Sequence, residues 1–269
     1  MVVAFFCSLL VAAPPSPDAG FSGERLAHLR RQLELDVRNK AMPGAVLLIQ
    51  RDGKPVRVET AGFRDRRAQA PMKADAIFRI ASMTKPVVTV GAMMLAEEGA
   101  LDLASPVARY LPEFANVRVR VERTVPKRPM TVLDLMRHTS GLTYGLFGNT
   151  PVDQLYRDAK LFEAPSLEEM VKRIAALPLL HEPGEFWEYS VSTDVLARVV
   201  EVVSGLPLDR FLAERVFGPL KMRDSGYQVK DLSRVAQPDG AMNMPPEDLT
   251  RRPALVAGGH GLLATAQDY

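Results

Sequence analysis

The sequence predicts an α+β protein: an antiparallel sheet flanked by helices, joined to a mostly helical lobe. Two observations predict it. Near the N-terminus, one helical pattern is followed by two β-rich segments that meet at a hairpin signal. From Val87 to Phe217 the pattern is mostly helical, with capping residues and apolar stripes. At 269 residues, 47% hydrophobic and 25% charged, the chain is ordinary globular material with enough apolar surface for a large core.

Taken in order, Ser22 can cap a helix running to about Asn39, with Leu26, Leu29, Leu33 and Val37 on one face. Pro43-Gly44 breaks it. Ala45 to Ile49 is a short strand, Asp52-Gly53 a hairpin turn, and Val56 to Phe63 the returning strand. The run Val87, Val88, Val90, Ala92, Met93, Met94 and Leu95 is apolar on nearly every side and predicts a buried helix. Leu103 to Pro112 reads as a short helix and loop, and Val117 to Val121 as a strand or an extended link. Thr131 with Asp134, and Ser166 with Glu169, have capping-box spacing; the helices they open run through Met136 and to about Leu177. Arg137 to Gly145 is a turn-rich loop, and Leu142 to Leu155 carries no readable pattern. Thr193 to Val203 is helical, with Leu196, Val199, Val200 and Val203 inward and Gly205 as the stop; Leu208 to Phe217 is a further helix. Asp231 to Arg252 is polar and proline-bearing, a surface excursion. Strands are few and sit near the N-terminus, so the hairpin must find its sheet neighbours elsewhere.

Composition limits the function classes. Net charge is +2 and the arginines are scattered, which gives little support to nucleic-acid binding. A single cysteine, Cys7, excludes an intrachain disulfide. His28, His138, His181 and His260 are far apart and none has metal-ligand spacing. Val2 to Ala13 is too short to span a bilayer comfortably, so no stable membrane span is expected. It resembles the core of a signal peptide, but no Lys or Arg precedes it and Pro14-Pro15 follows. Residues 1–20 therefore read as a signal-like or disordered extension before a domain at 21–269, with a cytoplasmic location slightly favoured over export.

The chemistry concentrates at Ser82 and Lys85. A serine hydroxyl is a poor nucleophile until a neighbouring base takes its proton. A lysine is such a base only when its ammonium can lose a proton near neutral pH, and burial and a helix N-terminus both favour that loss. Free N–H groups at the same helix end can also hold an oxyanion. Ser-x-x-Lys arises as well from a serine N-cap followed by a solvated lysine. Two features argue against that here: a first-turn lysine opposes the helix dipole, and the helix that follows is too apolar for the surface.

A second stretch, Glu182 to Ser190, puts Tyr189 just before a helix, where its hydroxyl could enter a cleft; a core tyrosine with a satisfied hydroxyl is the plainer alternative. In order, Phe78-Arg79-Ile80-Ala81-Ser82-Met83-Thr84-Lys85, Leu135-Met136-Arg137-His138-Thr139-Ser140-Gly141-Leu142, Pro183-Gly184 and Tyr189-Ser190 closely resemble the serine β-lactamase-like family. That family includes class C β-lactamases, D-alanyl-D-alanine peptidases and family VIII carboxylesterases, and the similarity runs from about Phe21 to Tyr269. The resemblance implies a β-lactamase/transpeptidase-like fold with a cleft between sheet and helical lobe. It implies Ser82 as the acylated nucleophile and Lys85 as its base partner, with Tyr189 assisting proton transfer. No metal or organic cofactor is implied, and the partner is a small ester or amide substrate. Tyr144 and Trp187 are the candidates for binding it, although Trp187 could equally be ordinary packing.

Val191 stands where penicillin-recognising members usually carry Asn, and it can donate nothing to a lactam amide, so the match favours the esterase branch. The reaction expected is hydrolysis of short-chain carboxylic esters through an acyl-enzyme. A β-lactamase or D-alanyl-D-alanine carboxypeptidase is the rival, and a non-catalytic penicillin-binding-like or inactive homologue is another. Asp194 reads as a plain first-turn carboxylate and His260 as a glycine-flanked turn residue. No G-x-S-x-G occurs. The family's further sheet strands, one bearing the third motif, have no counterpart after Tyr269, where the last residues resemble a lead into a late helix. The expectation is a C-terminally truncated chain with weak or no activity.

Overall fold

The computed structural model describes residues 20–238 and 248–269. The apolar run at Val2 to Ala13 with Cys7, and the middle of the Asp231 to Arg252 stretch, lie outside the described residues. The described residues form two compact units: residues 20–76 with 237–238, and residues 77–236 with 248–269.

In the first unit, α1 (Gly23–Arg38) starts at Ser22, whose side chain accepts the Arg25 N–H. The helix lies on β1 (Gly44–Arg51) and β2 (Lys54–Asp65). Its predicted apolar stripe is narrower than the spacing implies: Leu26 is buried but Leu29 is 44% exposed. The two strands pair antiparallel from Gly44 with Gly62 to Arg51 with Lys54, with a register shift at Ile49/Gln50. Asp52 and Gly53 both have positive φ, 52° and 72°, the backbone a two-residue hairpin turn requires. A third strand, β3 (Ala70–Pro71), pairs with the end of β2; at two residues it is too short to show an alternation.

The second unit opens with β4 (Ile77–Arg79), which pairs antiparallel with β5 (Leu263–Thr265). One expectation fails here: strands are not confined to the N-terminal region. Leu263, Ala264 and Thr265 are all buried, so neither face of β5 is exposed and no alternation marks it. A 3-10 turn at Ala81–Met83 then runs into α2 (Thr84–Glu97), which packs on α6 (Ser192–Ser204) and α7 (Leu208–Leu212). The buried side of α2 is Thr84, Lys85, Val88, Gly91, Ala92 and Leu95, one helical stripe. The sequence predicts a helix buried on nearly every side, but one side is open: Val90 is 50% and Met93 46% exposed. Gly91 lets α7 approach, since a Cβ there would lie 2.8 Å from the Phe211 ring.

Helix α6 carries fully buried Val195, Leu196, Val199 and Val200 and stops at Gly205, whose φ of 71° is the expected left-handed cap. Leu208 to Phe217 is not one regular helix: α7 ends at Leu212 and continues through a wider π turn, Ala213–Phe217, into α8 (Gly218–Leu220). Leu103 to Pro112 holds only a 3-10 turn, Val107–Arg109, with another at Pro112–Asn116. The stretch without a readable pattern contains α4 (Pro151–Asp158), opened by a complete Thr150/Asp153 capping box with proline at its first turn. At α5 (Leu167–Ala175) only half of the predicted box forms: Ser166 accepts the Glu169 N–H, while the Glu169 carboxylate pairs with Arg173 at 3.1 Å.

The box at α3 (Val132–Met136) is complete and extended. Asp134 also takes a bidentate pair of hydrogen bonds from Arg128, at 2.7 and 2.8 Å, and one from the Thr139 hydroxyl. Burial pushes its carboxyl up, but the Arg128 and Thr131 hydrogen bonds outweigh that and hold it below the usual range. Replacing Asp134 by Ala should lower unfolding stability by about 2 kcal/mol, the cap and the partly exposed ion pair together. Urea unfolding checks it; a change under about 0.5 kcal/mol contradicts the network.

Candidate active site

Ser82 sits in the 3-10 turn before α2, after Ala81 at φ 46°, a left-handed conformation rare for a residue with a Cβ. Lys85, 7% exposed, follows in the first turn of α2 on its buried side. Its Nζ donates to Ser82 Oγ at 3.1 Å and to the Gly259 carbonyl at 2.7 Å. Tyr189, three residues before α6, donates its hydroxyl to the same Ser82 Oγ at 2.7 Å. Lys85 Nζ also lies 4.7 Å from the centre of the Tyr189 ring and 5.5 Å from that of Tyr144. Residues 107 positions apart thus meet at one oxygen atom. All the site residues belong to the second unit.

The segment that brings Gly259 in is stitched to the Ser82 turn. The Ile80 N–H donates to the Leu262 carbonyl, the Leu262 N–H to Thr84 Oγ1, and the β4–β5 pairing continues the seam. Gly258 rests directly on α6: a Cβ there would collide with the Thr193 carbonyl and the Ala197 methyl, so only glycine fits.

Tyr189 is held from behind. Ser190 Oγ meets Ser192 Oγ at 2.7 Å, Ser192 Oγ meets Ser140 Oγ at 2.6 Å, and Ser140 Oγ accepts the Leu142 N–H. This buried hydroxyl chain joins the start of α6 to the 138–142 loop. His138 Nδ1 lies 3.2 Å from Ser190 Oγ and faces the Ser190 N–H at 3.3 Å, and its ring packs 4.9 Å from that of Tyr189.

Of the two candidate substrate contacts, Tyr144 lines a pocket of about 280 Å³ beside Ser82, with Leu146, Phe147 and Phe162. Trp187 is not part of that lining. It is 67% exposed and stacks on Tyr189 with ring centres 6.3 Å apart. Burial and the charge of Asp194 push the Tyr144 phenol upward. His260 stands between the two glycines in the turn, as expected, with its ring edge-on to Phe162 at 5.3 Å. The pattern of the sequence does not reveal the parts played by Gly259, Phe147, Phe162 and His138. The Gly258-Gly259 pair was the available signal, since adjacent glycines mark a close backbone approach. Among the described residues no group of three or more His, Cys, Asp or Glu could hold a metal ion, and no helix is long and apolar enough to cross a membrane.

The beta-lactamase family pattern matches residues 28–269 of this chain. The chain belongs to the beta-lactamase family. Protein Rv1367c of Mycobacterium tuberculosis is 36% identical over 245 residues, 85% of this chain and 60% of that protein. Esterase EstB of Burkholderia gladioli is 35% identical over 244 residues, 87% of this chain and 60% of its own length. Among solved structures, EstCE1, described as a hydrolase with promiscuous acyltransferase activity, superposes with a TM-score of 0.79 at 28% identity; the match covers 91% of this chain and 70% of that one. The fold is therefore the β-lactamase/transpeptidase-like one that the motifs imply. The chain spans about 60% of the length of these two curated relatives.

The site has a titratable marker. Burial, with the nearby positive charge of Lys85 adding to it, lowers His138 from 6.5 to about 4. The unfolded chain therefore takes up this proton between pH 6.5 and 4 while the folded chain does not, so stability falls as pH drops through that window. Histidine-ring NMR should show His138 titrating near pH 4; a midpoint near 6.5 contradicts its buried, neutral placement.

Proposed function

We propose that this chain carries the acyl-transfer site of a serine hydrolase that acts on short-chain carboxylic esters. Ser82 Oγ attacks the ester carbonyl while its proton passes to the Lys85 and Tyr189 pair. The same pair returns a proton to the departing alcohol. Water then attacks the acyl-Ser82 ester, giving the free acid and restoring the hydroxyl. The Ser82 N–H helps hold the oxyanion.

The observation that carries the reading is the convergence of Lys85 Nζ and the Tyr189 hydroxyl on Ser82 Oγ, at 3.1 and 2.7 Å. Such contacts let a proton leave the serine as it attacks. The esterase named among the relatives supports the ester class. Val191 supports it over a lactam: at the N-cap position of α6 it is fully buried, and its side chain offers no polar atom to an amide. A pocket of about 280 Å³ walled by Tyr144, Phe147 and Phe162 suits a short apolar acyl group. Tyr144 contacts that group, and exposed Trp187 contacts the substrate portion outside the pocket. No metal or organic cofactor enters the scheme.

Initial rates on p-nitrophenyl butyrate and on a chromogenic cephalosporin test this directly. The ester should be the faster substrate, and Ser82→Ala should lower its kcat/KM by about 10³-fold or more, with Tyr189→Phe losing about 10²-fold or more. Faster turnover of the cephalosporin, or a Ser82→Ala protein that keeps its rate, overturns the assignment.

A further inference from the structure

Asp194 is a buried charged group that this reaction scheme leaves unused. It sits in the first turn of α6 with no exposed surface. A carboxylate placed only to favour a helix N-terminus gains that benefit at the surface, without desolvation. Here one oxygen, Oδ1, accepts the Gly259 N–H at 2.8 Å. The other, Oδ2, is buried and has no hydrogen-bond partner among the described residues. Burial pushes the carboxyl upward, against the pull of the Gly259 N–H. So costly a placement calls for a role beyond capping.

The role follows from the residue that Asp194 touches. Gly259 donates its N–H to Asp194, and on the other side of its Cα its carbonyl accepts from Lys85 Nζ at 2.7 Å. The turn cannot sink toward α6, because Gly258 already lies against the Thr193 carbonyl and Ala197. Nor is there spare room at its side. A Cβ on Gly259 would stand 2.7 Å from Asp194 Oδ2 and 2.8 Å from the Tyr144 hydroxyl. Residue 259 is thus wedged between α6, Asp194 and Tyr144, which limits the directions its carbonyl can take.

We propose that Asp194 is a positioning residue for Lys85: by holding the Gly259 N–H it fixes the carbonyl that keeps the lysine amine against Ser82. This rests on the hydrolase reading above. Asp194 touches neither Ser82 nor the incoming ester, and it acts through the 258–259 turn.

The test uses the full chain with Asp194→Asn, Asp194→Ala and Gly259→Ala, measuring kcat and KM on p-nitrophenyl butyrate beside thermal unfolding. Asp194→Asn keeps an oxygen acceptor in place and should stay within about tenfold of the parent kcat. Asp194→Ala and Gly259→Ala should each lose about 100-fold in kcat with KM within about threefold, the size expected when a reacting group is displaced by about an ångström. Should Asp194→Ala fail to fold, Gly259→Ala carries the test with the carboxylate intact. Folded Asp194→Ala or Gly259→Ala within threefold of the parent kcat overturns the proposal. So does a loss that only follows the folded fraction, or one that falls on KM. A parent chain with no turnover overturns the hydrolase reading as well; an active parent with unaffected variants overturns this proposal alone.

Discussion

A lysine amine on the buried side of α2, held by two oxygens, is the constraint on which the rest of this site depends. Lys85 Nζ has the Gly259 carbonyl on one side and Ser82 Oγ on the other. Each partner comes from a different part of the chain, so the contact exists only when both are delivered together. The α2 stripe delivers Lys85 and, one turn earlier, Ser82. The β4–β5 pairing, reinforced by the Ile80 to Leu262 and Leu262 to Thr84 hydrogen bonds, delivers Gly259. The three-residue strand β5 therefore helps set the geometry of the candidate site as much as the fold.

The third group arrives by another route. Tyr189 precedes α6, and the hydroxyl chain through Ser190, Ser192 and Ser140 fastens that helix start to the 138–142 loop. His138 packs against the Tyr189 ring, and its burial favours the neutral form. The loop is set in turn by α3, whose Asp134 also bonds the Thr139 hydroxyl. The stretches that share the family resemblance are thus in physical contact: the Ser82 turn, the 135–142 segment and the start of α6 form one hydrogen-bonded arrangement.

Much of this was legible from residues alone, for physical reasons. The capping residues Ser22, Thr131 and Ser166, the Asp52-Gly53 turn and the Gly205 stop are local signals, and each forms where the spacing predicts. The juxtaposition of Ser82 with Lys85 is also local, one helical turn. What stayed hidden depends on distant partners. Strand β5 has no alternation to read because both its faces are buried. Asp194 looks like a plain first-turn carboxylate until Gly259, 65 residues away, is seen to bond it. Trp187 lies in a motif-rich stretch, yet packs on the outer side of Tyr189 rather than in the pocket. Helix α4 had a complete capping box at Thr150 and Asp153; its signal was present in a stretch dominated by glycine and turn residues.

The central claim is that Lys85 and Tyr189 make Ser82 a nucleophile. The most direct measurement is peptide mass spectrometry of the folded chain after brief exposure to a fluorophosphonate. The account predicts one phosphonyl adduct, on Ser82, forming at a rate that falls about 100-fold or more in Lys85→Ala. A folded chain that takes no adduct on Ser82, or one labelled equally fast without Lys85, contradicts it.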